Sequence, residues 1–374
     1  MIYLDHSATT KIDEQVMDTY VRANENFWGN ASSLHHFGAL AEQVLIKSNR
    51  QILEILHGVD HQVILTSGAT ESNNLALKGL AENNLGGHLI TTKIEHPSIY
   101  EVCQQLGKKG IRISYLDVTQ TKEKIIKQLE DLIEKDTFLV SCMHVNSEMG
   151  LILPIEEIGE VIAKYPRVKF HVDAVQSVGK MPVDITQANI DLMSISAHKI
   201  HGPKGVGALI IRRDLNLAPE LIGGGQMEGL RSGTVNVAGG ATLAKALRLV
   251  TDNQKKSFIK IQNLYAYTCD KLSKIDGVQI NRGVGVHSPY IINFTVVGVR
   301  GETMVHALEA HDVYISAKSA CSSKTKQASY VLLALGFNET VATESLRISF
   351  AQNTTLTEVD KFLEALQIEL RKLR

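Results

Sequence analysis

Lys199 stands in "SAHKIHGPKG", residues 196–205, directly after the apolar run "DLMSIS" and between His198 and His201. A lysine normally keeps its ammonium in water on a flexible stem. At the end of a strand-like run it is either part of a solvated polar loop or an amine held for chemistry. Asp173 closes another apolar run, "FHVD", with Gln176 one turn beyond it, and Lys199 follows the next strand-like stretch. In an open α/β sheet both would converge at one edge. A lysine that forms a Schiff base, with a carboxylate to keep a pyridinium nitrogen protonated, is how proteins hold pyridoxal phosphate as an electron sink. Ser196 and His198 flank the lysine and are placed to reach a phosphate.

Other polar groups also follow apolar runs. "TSGATESNN", residues 66–74, puts small residues between a strand and a helix. The free N–H groups of that helix start, with the Ser67 or Thr70 hydroxyl, can hold a phosphate, although Ser/Thr caps precede many helices that bind nothing. Asn146 in "CMHVNSEMG" can bond a cofactor or substrate, or shape a turn. His96 in "IEHPSI" can stack on a ring, or settle a turn. Arg347 in the alternating run "ESLRISF" is either an ion-pair partner or a bidentate clamp for a carboxylate. "GPKGVG" does not complete a Walker loop, and the chain contains no GxGxxG. His35-His36 and His57/His61 lack the Cys or carboxylate pattern of a metal site, so no metal is expected.

The four cysteines, Cys103, Cys142, Cys269 and Cys321, show no CxxC spacing, which favours a reducing cytoplasm over a disulfide scaffold. Cys103, Cys142 and Cys269 read as core. Cys321 lies among Ala, Ser and Lys in "SAKSACSSKTKQASYVLLALG", with Lys318 and Lys324 near enough to favour its thiolate.

These groups need a scaffold. The 374 residues can bury a large core, and 44% hydrophobic with 21% charged residues is an ordinary globular balance. A net charge of −1 gives no footprint for nucleic acid or an anionic membrane surface. No leader pattern and no apolar run of spanning length is visible. Strands are expected at "HQVILTSG", "GGHLITT", "TFLVSCMHV", "VKFHVDA", "DLMSIS" and "GVGALIIRR". Helical spacing marks "ATESNNLALKGLAE", "IYEVCQQLGKKG", "TKEKIIKQLEDLIEKD" and "PIEEIGEVIAKYP". The alternation predicts an α/β fold with a mostly parallel sheet. Residues 235–274 read as long helix closing this unit. The boundary is expected near residue 257, giving a large domain over 15–256 and a small one from 1–14 and 257–374.

Together these pieces resemble the cysteine desulfurases, in the class V group of pyridoxal-phosphate enzymes. Ten stretches occur in that family's order: "YLDHSATT", "GNASSLHHFG", "LTSGATESNN", "IEHPSI", "MHVNSEMG", "HVDAVQSVGK", "SAHKIHGPKGVG", "GGGQMEGLRSGTVNV", "SACSS" and "LRIS". The resemblance implies the pyridoxal-phosphate-dependent transferase fold, aspartate aminotransferase-like, with a seven-stranded sheet covered by helices and a smaller α+β domain. It implies that Lys199 carries the cofactor in Schiff-base linkage, Asp173 pairs with the pyridine nitrogen and Gln176 bonds the ring hydroxyl. His96 stacks on the ring and helps move protons. Ala69, Thr70, Ser196 and His198 hold the phosphate, while Thr234 reaches the phosphate site of the other subunit of a homodimer. Asn146 and Arg347 bind the carboxylate of L-cysteine.

The same resemblance makes Cys321 the thiol that takes sulfur as a persulfide, releasing alanine and passing sulfur to an acceptor protein, either an iron–sulfur scaffold or a thiolation enzyme. The spacing from "SAC" to "SYVL" resembles the long-loop branch. Four positions depart from the family pattern: Ala31 and Ala328 where Pro is common, Lys318 where Gly is common, and Ala351 after Phe350 where a Gly is usual. None removes a catalytic group. Lys318 changes the charge beside Cys321 and suggests a specialised acceptor. A selenocysteine lyase or an aminotransferase on the same scaffold is the near alternative, though an aminotransferase needs no thiol. A non-catalytic scaffold in a sulfur-transfer complex is the distant one.

Overall fold

The computed structural model describes residues 1–317 and 328–373. In chain order the first elements are β1 (Ile2–Tyr3), α1 (Glu14–Asn26), α2 (His36–Leu56), β2 (His61–Thr66), α3 (Ala69–Glu82), β3 (His88–Thr92), α4 (Pro97–Lys108) and β4 (Arg112–Leu116). They are followed by α5 (Lys122–Leu132), β5 (Thr137–Met143), β6 (Leu151–Ile152), α6 (Ile155–Ile162), β7 (Lys169–Asp173), β8 (Leu192–Ser196) and β9 (Gly207–Arg212). The remainder comprises α7 (Val237–Asp252), α8 (Gln254–Ser273), β10 (Val278–Ile280), β11 (Val286–His287), β12 (Ile291–Val296), α9 (Gly301–Glu309), β13 (Val313–Tyr314), α10 (Tyr330–Ala334), α11 (Glu339–Glu344), β14 (Ser345–Ser349) and α12 (Leu356–Leu373).

Seven strands form one sheet in the order β2-β9-β8-β7-β5-β3-β4. Only β9 runs antiparallel to its neighbours. The other six therefore end at the same edge. The fold is α/β, as the alternation of apolar runs and helical stretches predicts. Side chains leave a strand on alternate faces, and the sheet accordingly separates two apolar clusters. Val63, Leu65, Ala208 and Ile210 join one, with α2 and α7. Ile64, Leu209 and Ile211 join the other, with α3 and α4. Ile2 and Leu4 pack into a third cluster with residues from Ile261 to Leu370. Val331, Leu332 and Ala342, late in the chain, belong to the first cluster, and Ala328 packs against it.

Two expectations about local structure need correction. The helix expected over 235–274 is two helices broken at Asn253, which ends α7 and starts α8 with φ −103° and ψ 3°. Thr251-Asp252-Asn253 concentrates residues whose side chains compete for backbone bonds and favour caps. β4, with the sequence "RISYL", falls outside the strands expected from apolar runs. It pairs only with β3 at the sheet edge and is buried only at Leu116, so it needs no such run. Among the described residues no helix is long and apolar enough to cross a membrane.

Candidate active site

The six co-directional strands deliver polar residues to one edge, where a cavity of about 380 Å³ opens. Lys199 follows β8 in a single helical turn, Ala197–Lys199. Its Nζ donates to the carbonyl oxygens of Ser7 at 2.5 Å and Ala8 at 2.7 Å. The amino-terminal segment is pinned there from both sides. Thr10 donates through N and Oγ1 to the His198 carbonyl, each at 2.9 Å. Ser7 N donates to Ser349 Oγ at 2.8 Å. Lys199 is thus held at the end of an apolar strand by residues from the far end of the sequence.

Asp173 ends β7 and lines the cavity while being only 7% exposed. Its Oδ1 accepts from Val175 N at 3.0 Å, and its Oδ2 accepts from Asn73 Nδ2 at 3.0 Å. Asn73 also donates to Ser98 Oγ at 2.8 Å, and Ser98 Oγ lies 2.8 Å from His96 Nδ1. One fully buried amide therefore ties the carboxylate to the imidazole. His96 caps α4 with Pro97 in the first turn, a position that tolerates proline because its missing N–H would be unpaired. Its Nδ1 accepts from Ser98 N at 3.2 Å, which leaves the neutral ring's proton on Nε2. Burial lowers the His96 pKa; Asp173 opposes that shift and Lys199 adds to it.

The opposite end of the cavity is rich in donors. α3 begins after Gly68 with no side chain capping its first turn, so its free N–H groups face the end lined by Ser67, Gly68, Ala69 and Thr70. Ser196 and His198 line the same cavity. A Cβ on Gly207 would lie 2.6 Å from Gly68 Cα, so only glycine lets β9 start this close to the turn. Burial, helped by Lys199, Lys204 and Lys180, pushes His198 down to about 4, so it stays neutral near pH 7.

Gln176 also lines the cavity and donates from Nε2 to Ser7 O at 3.0 Å. Arg347, in the centre of β14, is 1% exposed and reaches the cavity. Its Nη1 donates to Ser147 O at 2.9 Å and its Nη2 to Asp5 Oδ1 at 2.7 Å. Its buried Nε has no acceptor among the described residues.

Asn146, expected to bind the substrate carboxylate, lies one residue from the cavity-lining Val145 and Ser147. It is 1% exposed and is not among the residues lining the cavity. Its Oδ1 accepts from Glu148 N and Met149 N, while its Nδ2 donates to Ile94 O and Met143 Sδ. Every hydrogen-bonding position is used to hold the turn that aims Ser147 O at Arg347. A strand-end asparagine competes for nearby backbone groups, and here it braces a turn.

Thr234 is exposed and lies outside the cavity lining, although Gly233 and Val235 border a smaller cavity shared with Ser67 and Gly205. Cys321, Lys318 and Lys324 lie outside the described residues. Cys103, Cys142 and Cys269 are buried, and burial raises their thiol pKa values.

Sequence reasoning does not single out Asn73, Ser98, Ser7, Ala8 or Ser147. Asn73 lies in "TSGATESNN", one helical turn beyond Ala69 on the buried face of α3, and a polar residue there is the available signal. Ser7, Ala8 and Ser147 act through backbone carbonyls, which side-chain type cannot reveal.

The lysine amine, the buried carboxylate and the donor-rich helix end match the amine-reactive aldehyde, protonated ring nitrogen and phosphate of pyridoxal phosphate. The fold and site define a pyridoxal-phosphate-dependent enzyme. Comparison with known proteins agrees. The aminotransferase class-V family pattern matches residues 2–362, and the chain belongs to that family. It is 41% identical over 373 residues to the NifS/IcsS protein homolog of Lactobacillus delbrueckii subsp. bulgaricus, covering 98% of this chain and 96% of that one. It is 38% identical over 380 residues to cysteine desulfurase IscS of Pectobacterium carotovorum subsp. carotovorum, covering 100% and 93%. A solved NifS-like protein superposes with a TM-score of 0.90 at 32% identity, covering 99% of each chain.

Proposed function

We infer that the protein is a pyridoxal-phosphate-dependent cysteine desulfurase, acting on L-cysteine. The observation that carries this reading is the placement of the Lys199 amine, Asp173 and Arg347 around one cavity, in a chain whose full length resembles cysteine desulfurases. Bound at Lys199, the cofactor withdraws electrons from the substrate's α-carbon.

The chain's own groups do the rest. Asp173, held in place by Asn73 and Val175 N, offers its carboxylate to the ring nitrogen. Gln176 presents a donor to the ring oxygen. The first turn of α3, with Thr70, Ser196 and His198, takes the phosphate. Arg347 receives the substrate carboxylate, its guanidinium already oriented by Ser147 O and Asp5. The Lys199 amine moves the α-proton, and His96, neutral with its proton on Nε2, can give or take one beside the ring. The Cys321 thiolate then forms a bond to the substrate sulfur as the carbon–sulfur bond breaks. That bond's electron pair stays on the substrate carbon, which is protonated to give alanine, and a persulfide remains on Cys321.

The finer assignments also belong to this reading. The sulfur goes to an acceptor protein, an iron–sulfur scaffold or a thiolation enzyme, in the cytoplasm. The protein acts as a homodimer in which Thr234 reaches the partner's phosphate end. Thr234 is exposed in the single chain, and the exposure of Trp28, Leu34 and Ile222 leaves apolar surface for a second copy to cover. The deciding experiment incubates purified protein with L-cysteine and measures alanine and sulfide. Both are expected in equal amounts with reductant, and Cys321→Ala should abolish both while keeping the yellow colour. Alanine formation that persists undiminished in Cys321→Ala would remove the thiol from the mechanism.

A further inference from the structure

Lys180 follows Gln176 by one helical-type turn in "HVDAVQSVGK" and is 9% exposed. Its Nζ donates to Gln176 Oε1 at 2.7 Å. Among the described residues it bonds no carboxylate. The charged and titratable groups around it are Lys199, Arg347, His6, His198 and His201, all cationic or neutral. Burial, then Lys199, then Arg347, lower its pKa to about 7. An ammonium kept in such surroundings costs free energy unless its hydrogen bonds return something.

We propose that Lys180 is a positioning residue: it fixes the Gln176 amide so that the NH2, and never the carbonyl, is presented beside Lys199. The inference rests on the pyridoxal-phosphate reading above. A free glutamine can turn its amide over at little cost, because its two ends are alike in shape and opposite in hydrogen bonding. Here both ends are dictated. In its charged form the Lys180 amine only donates, and its Nζ meets Oε1 at 2.7 Å. The Ser7 carbonyl only accepts, so Nε2 must face that, at 3.0 Å. The same Ser7 carbonyl accepts from Lys199 Nζ at 2.5 Å. The chain Lys180–Gln176–Ser7–Lys199 therefore joins the buried lysine to the cofactor-bearing one through three hydrogen bonds, and a small cavity behind Lys199 is lined by Lys180 as well. The result is a donor, of fixed direction, for a partly anionic ring oxygen. A donor there lowers that oxygen's hold on the proton it shares with the Lys199 nitrogen.

The test is the absorbance titration of the visible Lys199-linked chromophore in cofactor-loaded enzyme. Lys180→Met should raise the proton affinity of that chromophore about tenfold, one pH unit. Gln176→Ala should move it the same way, and adding Lys180→Met to Gln176→Ala should move it by less than it does alone. Lys180→Arg, which keeps a donor, should titrate closer to wild type than Lys180→Met does. Equal shifts in both backgrounds, or no shift, overturn the proposal, since a structural role would change stability and leave the titration alone. Neutron diffraction of the wild-type enzyme gives a readout that needs no variant: deuterons on the Gln176 nitrogen facing Ser7 O are expected, and a carbonyl there refutes the assignment. Wild-type protein with no visible band sinks the cofactor reading itself. A normal band that ignores Lys180 sinks this inference alone.

Discussion

Replacing Arg347 by lysine keeps the charge and removes the fork. In the structure Nη1 is committed to Ser147 O at 2.9 Å and Nη2 to Asp5 Oδ1 at 2.7 Å, and the buried Nε is still without an acceptor among the described residues. A guanidinium has donors left for a substrate carboxylate after meeting both partners. A lysine ammonium has three donors in all and no plane to match a carboxylate. With Ser147 O and Asp5 competing for it, the substituted ammonium loses at least one charge-assisted bond to substrate, about 1.5–3 kcal/mol. At about 1.4 kcal/mol per decade that is roughly a tenfold to hundredfold loss in kcat/KM for L-cysteine. The assay pairs L-cysteine with cysteamine, which lacks the carboxylate. Wild type should discriminate strongly between them, and Arg347→Lys should lose most of that discrimination while binding cofactor normally. An unchanged ratio of the two kcat/KM values would refute the clamp, whatever happened to the absolute rates.

Asn73→Ala should destabilise the chain by about 2–4 kcal/mol, because it removes one bond to the Asp173 carboxylate and one to Ser98. Chemical denaturation reads this, and a loss under about half a kcal/mol would mean the amide is not bridging them. Stability should also fall as pH drops below 6.5. Burial holds His144 at about 4 and His171 at about 3 in the folded chain, so the unfolded chain takes up protons that the folded one refuses. Buried Glu95, raised to about 8, acts oppositely between 8 and 4.5, where the folded chain keeps a proton that the unfolded one loses. Between pH 6.5 and 4.5 these three groups leave an excess of one proton on the unfolded chain, about 1.4 kcal/mol per pH unit, and His6 and His198, each held at about 4, steepen the fall in the same direction. The denaturation midpoint followed across that window tests it, and a midpoint that rises with acid contradicts it. His171→Asn should flatten the slope.

What could be read from sequence followed from physical pattern. Six strands of the main sheet are apolar runs because both of their faces are covered, and the seventh, β4, escaped because an edge strand with one buried residue needs no such run. Lys199, Asp173, His96 and Ser196 were legible as polar residues at strand ends, the edge where six co-directional strands place their loops. The turn that Asn146 holds was not, because an amide after a strand suits a ligand or a turn equally, and its four bonds run to groups that residue type does not mark. The supports of Lys199 were illegible for a different reason. Ser7 and Ala8 contribute carbonyl oxygens from a segment about half the chain away, and long-range backbone contacts leave no mark in residue type.

The central claim is that the Lys199 amine carries the cofactor. Borohydride reduction of the cofactor-loaded protein, followed by proteolysis and mass spectrometry, tests it directly. The account predicts loss of the yellow band and a pyridoxyl group on the peptide containing Lys199, with none on Lys180 or Lys204. A reduced label on either of those lysines, or protein that binds pyridoxal phosphate and yields no labelled peptide at all, would contradict it.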